Sequence, residues 1–233
     1  MEETIAVILA GGLGTRLRSV VSDRPKPMAD VSGRPFLDYL VQRVLSYQIS
    51  KIIVCVSYMK ENIISYFGKK YGDKIQFSVE EIPLGTGGAL AKATEFLPNS
   101  SSALVLNGDT FLPVDYSEIR KFHESKRADM TIVLSKSTNP RFGGAMIDEN
   151  SRLTEFGSFE NRSGLVNAGV YWMEKSTFDF LPRGKEFSLE KEFLPEFVKQ
   201  RKVYGFISER MFVDIGTPQS YLSLLENGDI LKK

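Results

Sequence analysis

One cysteine and one histidine are all that 233 residues hold of either type. A lone cysteine excludes an internal disulfide framework and fits a reducing compartment. Cys55 sits in the apolar run KIIVCVS, where it reads as a buried structural thiol rather than a nucleophile. The single histidine, His123, lies in the helical stretch IRKFHESK and reads as a surface residue, so general-base chemistry by histidine finds no support. Charge of one sign is missing too. The 30 basic and 29 acidic residues leave a formal charge of +1, which excludes a general binder of polyanions, nucleic acid included. No apolar run reaches the ~20 residues that a membrane span requires, and the N-terminus lacks signal-peptide architecture. A cytoplasmic protein without a membrane partner is expected. Repeats, low-complexity segments and linkers are also absent, which leaves one domain over residues 1–233.

What is present is alternation. TIAVILA reads as a buried strand, rich in β-branched residues and without polar alternation, and KIIVCVS, KIQFSVE and SALVLNGD follow as three further strands. PFLDYLVQRVLSYQ, KENIISYF and GGALAKATEFL fall between them with apolar residues at helical spacing. Strands and helices in this order imply βαβ units, a mainly parallel sheet and helices on both faces. The second half is less regular. ADMTIVLSK, GGAMID, SRLTEF and LVNAGVYWM suggest strands joined by turns, built onto the same sheet. SLEKEFLPEFVKQ, with a helix start at Ser188, and TPQSYLSLLEN return to helical patterning.

The stretch LAGGLGTRLRSVVSDRPKPM follows the first strand, where doubly wound folds bind phosphates. It is not a P-loop, because no Gly-Lys-Ser/Thr follows Gly11 at the required spacing. The dinucleotide fingerprint wants a third glycine where this chain has Leu17, which disfavours a nicotinamide enzyme. Gly11, Gly12 and Gly14 remove side chains, so backbone N–H groups can contact an anion or a flat base. Arg16 places a positive fork beside them. Arg24 and Lys26 each precede proline, which disfavours helical backbone and predicts an extended segment from which Lys26 projects. A triphosphate suits this set. Taken alone, so does a solvated basic loop with a proline turn.

That stretch resembles the signature of the sugar-1-phosphate nucleotidylyltransferases, GGxGTRL followed by KPM. EEIPLGTGGAL, VLNGDTF, VNAGVYWM, SLEKEFLP and FVDIGTPQSY follow in family order, so the resemblance runs from position 9 to 221. The RSVVSDRPKPMA and FVDIGTP segments are most similar to the D-glycero-α-D-manno-heptose 1-phosphate guanylyltransferases. The resemblance implies a Rossmann-like three-layer α/β sandwich of the nucleotide-diphospho-sugar transferase type, with a mainly parallel mixed sheet. Its nucleotide-binding part would span about 1–110 and its sugar-phosphate part about 111–233. The implied reaction is attack of a sugar 1-phosphate on the α-phosphorus of a nucleoside triphosphate, releasing pyrophosphate.

Residue by residue, the resemblance gives Arg16 the triphosphate and Lys26 the oxygens around the reacting phosphorus. Leu9, Ala10, Gly11, Gly12, Gly14 and Thr15 join the nucleotide site. Gly85, Thr86 and Gly87 would meet base and ribose. Glu80 would reach the base edge, where a carboxylate suits guanine's two adjacent donors and therefore GTP. Asp109 and Asp214 would bind Mg²⁺, a cation that prefers oxygen ligands and substrate phosphates. Read alone, Asn-Gly before Asp109 is an ordinary turn, and Asp214 a helix-capping acid. Asn167 interrupts an apolar strand, and an unpaired buried amide costs roughly 1–3 kcal/mol, so it needs a partner. The family uses it for sugar hydroxyls, with Glu190, Gly144 and Gly169 as companions. Many relatives carry a lysine for the sugar phosphate before the NAG strand; this chain reads FGSFENRSGLVNAG, leaving Arg162 or Lys191 as substitutes.

Some relatives add a β-helix that transfers acetyl groups. Here about a dozen residues follow TPQSY, and no second activity is expected. A uridylyl- or thymidylyltransferase acting on a hexose 1-phosphate is the alternative enzyme, and a non-catalytic nucleotide-sugar-binding homologue the alternative of another class. The assembly would be a monomer or a homodimer.

Overall fold

A computed structural model describes residues 4–98, 102–137, 143–157, 164–227 and 230–231. The first half runs β1 (Ile5–Leu9), the hairpin β2 (Asp30–Val31) and β3 (Arg34–Pro35), α1 (Phe36–Ser46), β4 (Lys51–Val56), α2 (Lys60–Tyr71), β5 (Ile75–Val79), α3 (Gly85–Ala93) and β6 (Ala103–Asn107). A short β7 (Thr110–Phe111) and α4 (Tyr116–Lys126) lead to β8 (Met130–Lys136), β9 (Gly144–Ile147), β10 (Leu153–Gly157) and β11 (Leu165–Met173). The chain closes with α5 (Lys175–Phe178), a π-turn at Leu189–Phe193, α6 (Leu194–Gln200), β12 (Val203–Ser208), β13 (Val213–Asp214) and α7 (Pro218–Glu226).

β5, β4, β1 and β6 pair in parallel, with the apolar runs of β4, β1 and β6 inside the sheet and the alternating β5 at its edge. β11 then joins β6 antiparallel, β8 joins β11 antiparallel, and β12 joins β8 in parallel. Both halves of the chain therefore share one mixed sheet. One apolar layer packs α1, α2, α4 and α7 on one face, and a second packs α3, α5 and α6 on the other. This is the expected three-layer sandwich. No helix among the described residues is long and apolar enough to cross a membrane.

His123 corrects the sequence reading. It is 1% exposed, with Nδ1 at 2.9 Å from Thr131 Oγ1 and Nε2 at 3.0 Å from Glu174 Oε1. The helix IRKFHESK turns this position toward the sheet, where polar partners on β8 and after β11 make burial tolerable.

Candidate active site

β1 ends at Leu9, and the carboxyl edge of the parallel strands opens into a cavity of about 420 Å³. Open α/β sheets hold ligands at this edge because strand ends diverge there and leave backbone groups unpaired. Leu9, Ala10, Gly11, Gly12, Gly14, Thr15, Arg16, Lys26, Glu80, Gly85, Thr86 and Asp109 all line it. Twelve positions scattered over a hundred residues thus converge on one space.

Glycine is required at two of these positions by what lies beside them. A Cβ on Gly14, whose φ is +59°, would sit 2.9 Å from the Lys26 Cβ. A Cβ on Gly11 would sit 2.9 Å from Glu80 Oε1. The glycine loop is therefore moulded against the lysine and the carboxylate. Arg16 belongs to a 3-10 turn at Thr15–Leu17; its side chain is exposed and makes no hydrogen bond or ion pair among the described residues.

Lys26 is where the backbone departs from expectation. Pro25 is extended, but Lys26–Met28 form a 3-10 turn instead of a straight segment. Met28 N–H donates to Pro25 O at 2.8 Å and Ala29 N–H to Lys26 O at 2.9 Å. Pro27 is accommodated because a first helical turn needs no N–H from that residue. The turn aims the ammonium at Asp109 Oδ2, with which it forms a hydrogen-bonded ion pair at the cavity wall.

Glu80 is 3% exposed. Its Oε2 accepts from Leu84 N–H at 2.9 Å, whereas its buried Oε1 has no hydrogen-bond partner. Burial raises its pKa above the usual carboxylate range, opposed by the Leu84 N–H and by Lys92. The site therefore keeps one unmet acceptor at its wall. Asn107 Oδ1 is a second.

Gly87, Gly144, Asn167, Gly169 and Glu190 do not line this cavity. A Cβ on Gly87 would run into the Phe187 ring, and its N–H donates to Phe187 O at 3.0 Å. Glu190 Oε2 accepts from Thr86 Oγ1 at 2.6 Å and Ser188 Oγ at 3.3 Å; Oε1 accepts from Tyr171 OH and Asn107 Nδ2, each at 3.4 Å. Asn167 Nδ2 donates to Tyr171 OH at 2.6 Å, and Asn167 Oδ1 accepts from Gly169 N–H at 3.0 Å. Asn167 and Glu190 thus meet through Tyr171, which sequence reasoning passed over. Residues four apart on a strand share a face, and Asn167 with Tyr171 in VNAGVYWM carried that signal. Gly169, at φ +71°, marks the irregularity in β11 between them. Gly144 is buried at the start of β9, opposite Val166. Lys191 is exposed on the π-turn, and Arg162 lies outside the described residues.

Asp214 lines a neighbouring groove rather than the main cavity. The antiparallel β7–β13 pair sets it opposite Thr110, and Ile215 N–H donates to Asp109 O at 3.1 Å. Its carboxylate rests on Gly216, where a Cβ would come within 2.9 Å of Oδ2, and Gly216 itself lines the cavity. Among the described residues no three His, Cys, Asp or Glu side chains cluster as a closed metal cage. Asp109 on the cavity wall and Asp214 in the adjoining groove, tied by the Ile215–Asp109 backbone bond, supply carboxylate oxygens of the kind Mg²⁺ prefers alongside substrate and water.

The nucleotidyl transferase family matches residues 5–228. The D-glycero-α-D-manno-heptose 1-phosphate guanylyltransferase of Aneurinibacillus thermoaerophilus is 40% identical over 218 residues, 93% of this chain and 94% of that protein. Its counterpart in Campylobacter jejuni is 39% identical over 225 residues, covering 95% of this chain and 99% of the relative. The crystal structure of HddC from Yersinia pseudotuberculosis, complexed with GMP-PN, superposes with a TM-score of 0.82 at 34% identity, over 97% of this chain and all of that one. With this likeness running the length of the chain and the cavity lined as described, the protein belongs to the nucleotidyl transferase family.

Proposed function

We propose that the chain transfers GMP from GTP to D-glycero-α-D-manno-heptose 1-phosphate, releasing pyrophosphate. The observation that carries the guanine half is Glu80. A buried carboxylate with one oxygen unmet calls for donors on the incoming base. Guanine offers two adjacent donors, N1–H and the exocyclic amine; uracil offers one. The GMP-PN bound to HddC supports the same base. The heptose half is supported by the two guanylyltransferases at 40% and 39% identity.

In this reading a phosphate oxygen of the sugar 1-phosphate attacks the α-phosphorus of GTP. One P–O bond forms, the bond to the β-phosphate bridging oxygen breaks, and pyrophosphate leaves with that electron pair. Two polyanions must approach in line, so the chain's task is positioning and charge neutralisation. The glycine loop would give backbone N–H groups to the phosphates, and Arg16, without a partner among the described residues, its guanidinium. Lys26 has three donors and can keep Asp109 while donating to phosphate oxygens as charge builds on them. Asp109 and Asp214 would hold Mg²⁺, which when bound supplies further neutralisation of the phosphates.

The test is pyrophosphate release across five nucleoside triphosphates and several sugar 1-phosphates, with and without chelator. The expected outcome is that GTP with the heptose leads and chelator abolishes the rate. Faster turnover of UTP or dTTP with glucose 1-phosphate would overturn the substrate assignment.

A further inference from the structure

Lys26 and Asp214 stand on separate segments, yet one helix turn holds both. The Lys26–Met28 turn runs directly into β2, whose first residue is Asp30. The β2–β3 hairpin is tightly built. Ser32 and Gly33 take φ of 53° and 80°, as a two-residue turn with both centres left-handed requires, and Gly33 N–H donates to Asp30 Oδ1 at 3.0 Å. On one side Ala29 O accepts from Phe36 N–H of α1 at 2.9 Å. On the other, Tyr221 of α7 donates its hydroxyl to Asp30 O at 2.5 Å.

Tyr221 is 7% exposed, so this bond is shielded from water. Burial above all, then the Asp30 carboxylate, raises its pKa, which keeps the phenol a donor at neutral pH. Its chain neighbour Ser220 faces the opposite segment and donates to Asp214 Oδ1 at 3.4 Å. Ser220 is also the N3 residue of a capping box with Thr217, which fixes the helix start. Consecutive residues of one rigid turn thus grip the lysine-bearing and the aspartate-bearing segments.

We propose that Tyr221 is a positioning residue for the transfer, setting the Lys26 turn against the Asp214 segment through its bond to the Asp30 carbonyl. The inference rests on the proposed function. It takes no part in substrate contact. Its effect is on where the ammonium stands, and displacement of a reacting group by about 1 Å costs on the order of 10²-fold in rate.

Tyr39 supplies a matched control. Its hydroxyl donates to the next carbonyl along the same hairpin, Val31 O, at 2.9 Å, but from α1 rather than α7. Y221F, Y39F, K26A and K26A/Y221F are compared by steady-state pyrophosphate release from GTP and the heptose 1-phosphate, with thermal unfolding of each. Y221F is expected to lower kcat by about 10- to 100-fold with KM for both substrates unchanged. Y39F is expected to lower Tm at least as much as Y221F while keeping kcat. On the K26A background Y221F should add no further loss, since the group it positions is gone. Unchanged kcat in Y221F, equal kcat losses in Y39F and Y221F, or the same loss with and without Lys26 would each overturn the inference alone. A wild-type chain inactive on every substrate pair would overturn the functional reading and this inference with it.

Discussion

Lys26 has a side chain only 14% exposed, and Asp109, its ion-pair partner, one 24% exposed. A charge pair this shielded is strong enough to aim the lysine, yet borders the space where phosphate would arrive. Lys26→Ala is expected to lower turnover by about 10²-fold or more, the usual loss for a contact made to developing charge. The turn carrying it is held by its own backbone bonds, so the fold should persist by circular dichroism. Glu80 makes a different expectation. Its pKa is raised in the folded state by burial, so the folded protein holds that proton more firmly than the unfolded chain. Stability contributed by the protonated form is present at low pH and falls as pH climbs from about 4.3, the ordinary glutamate value, through the raised folded value. Glu80→Gln removes that loss, so its melting temperature should gain on wild type through this window and then hold a constant lead. The same variant turns an NH₂ toward guanine's donors and should weaken GTP use more than UTP use. Equal loss with both nucleotides would remove Glu80 from base recognition.

At the scale of elements, α4 is pinned by its histidine. Burial foremost lowers the His123 pKa, and Glu174 only partly restores it. The unfolded chain therefore takes up this proton more readily, and stability is lost as pH falls below about 6.5 toward the lowered folded value. His123→Gln should flatten the melting-temperature profile between pH 7 and 5; a profile as steep as wild type's would show other groups responsible. His123 also shows why part of the structure was illegible in sequence. IRKFHESK is polar enough to read as solvated, and only the tertiary partners Thr131 and Glu174, 8 and 51 residues away, make its burial tolerable. The strands β1, β4 and β6 were legible because a doubly covered parallel sheet leaves an apolar run, whereas β5, at the edge, showed itself by the alternation of IQFSV. VYGFIS of β12 went unread: its burial alternates irregularly along an edge strand, and no turn motif announces it. Of the site, the glycine loops, Arg16, Lys26, Glu80 and Asp109 were readable in the linear order of motifs. The Tyr171 and Tyr221 hydroxyl bonds were not, since each depends on how far two elements stand apart.

Over the whole molecule, the two apolar layers lie on opposite faces of one sheet that the first and second halves of the chain build together. Neither half can expose its strands without uncovering the other's. Calorimetry should therefore record one cooperative unfolding transition, and two resolved transitions would argue for separate folding units divided near residue 110. The cross-bonding of residues 84–88 with 187–190 has a consequence for energetics. Phe187 N–H reaches Leu84 O at 3.0 Å, Gly87 N–H reaches Phe187 O at 3.0 Å, and Leu189 N–H reaches Thr86 Oγ1 at 2.9 Å. A ligand that stiffens one loop prepays part of the ordering entropy of the other, so the two substrates should bind with positive cooperativity. Thermodynamic linkage makes that coupling reciprocal. Titration calorimetry with a non-hydrolysable guanine nucleotide should find it tightening sugar-phosphate binding by the same factor by which sugar phosphate tightens the nucleotide, whereas independent affinities would mean that the shared bonds transmit nothing.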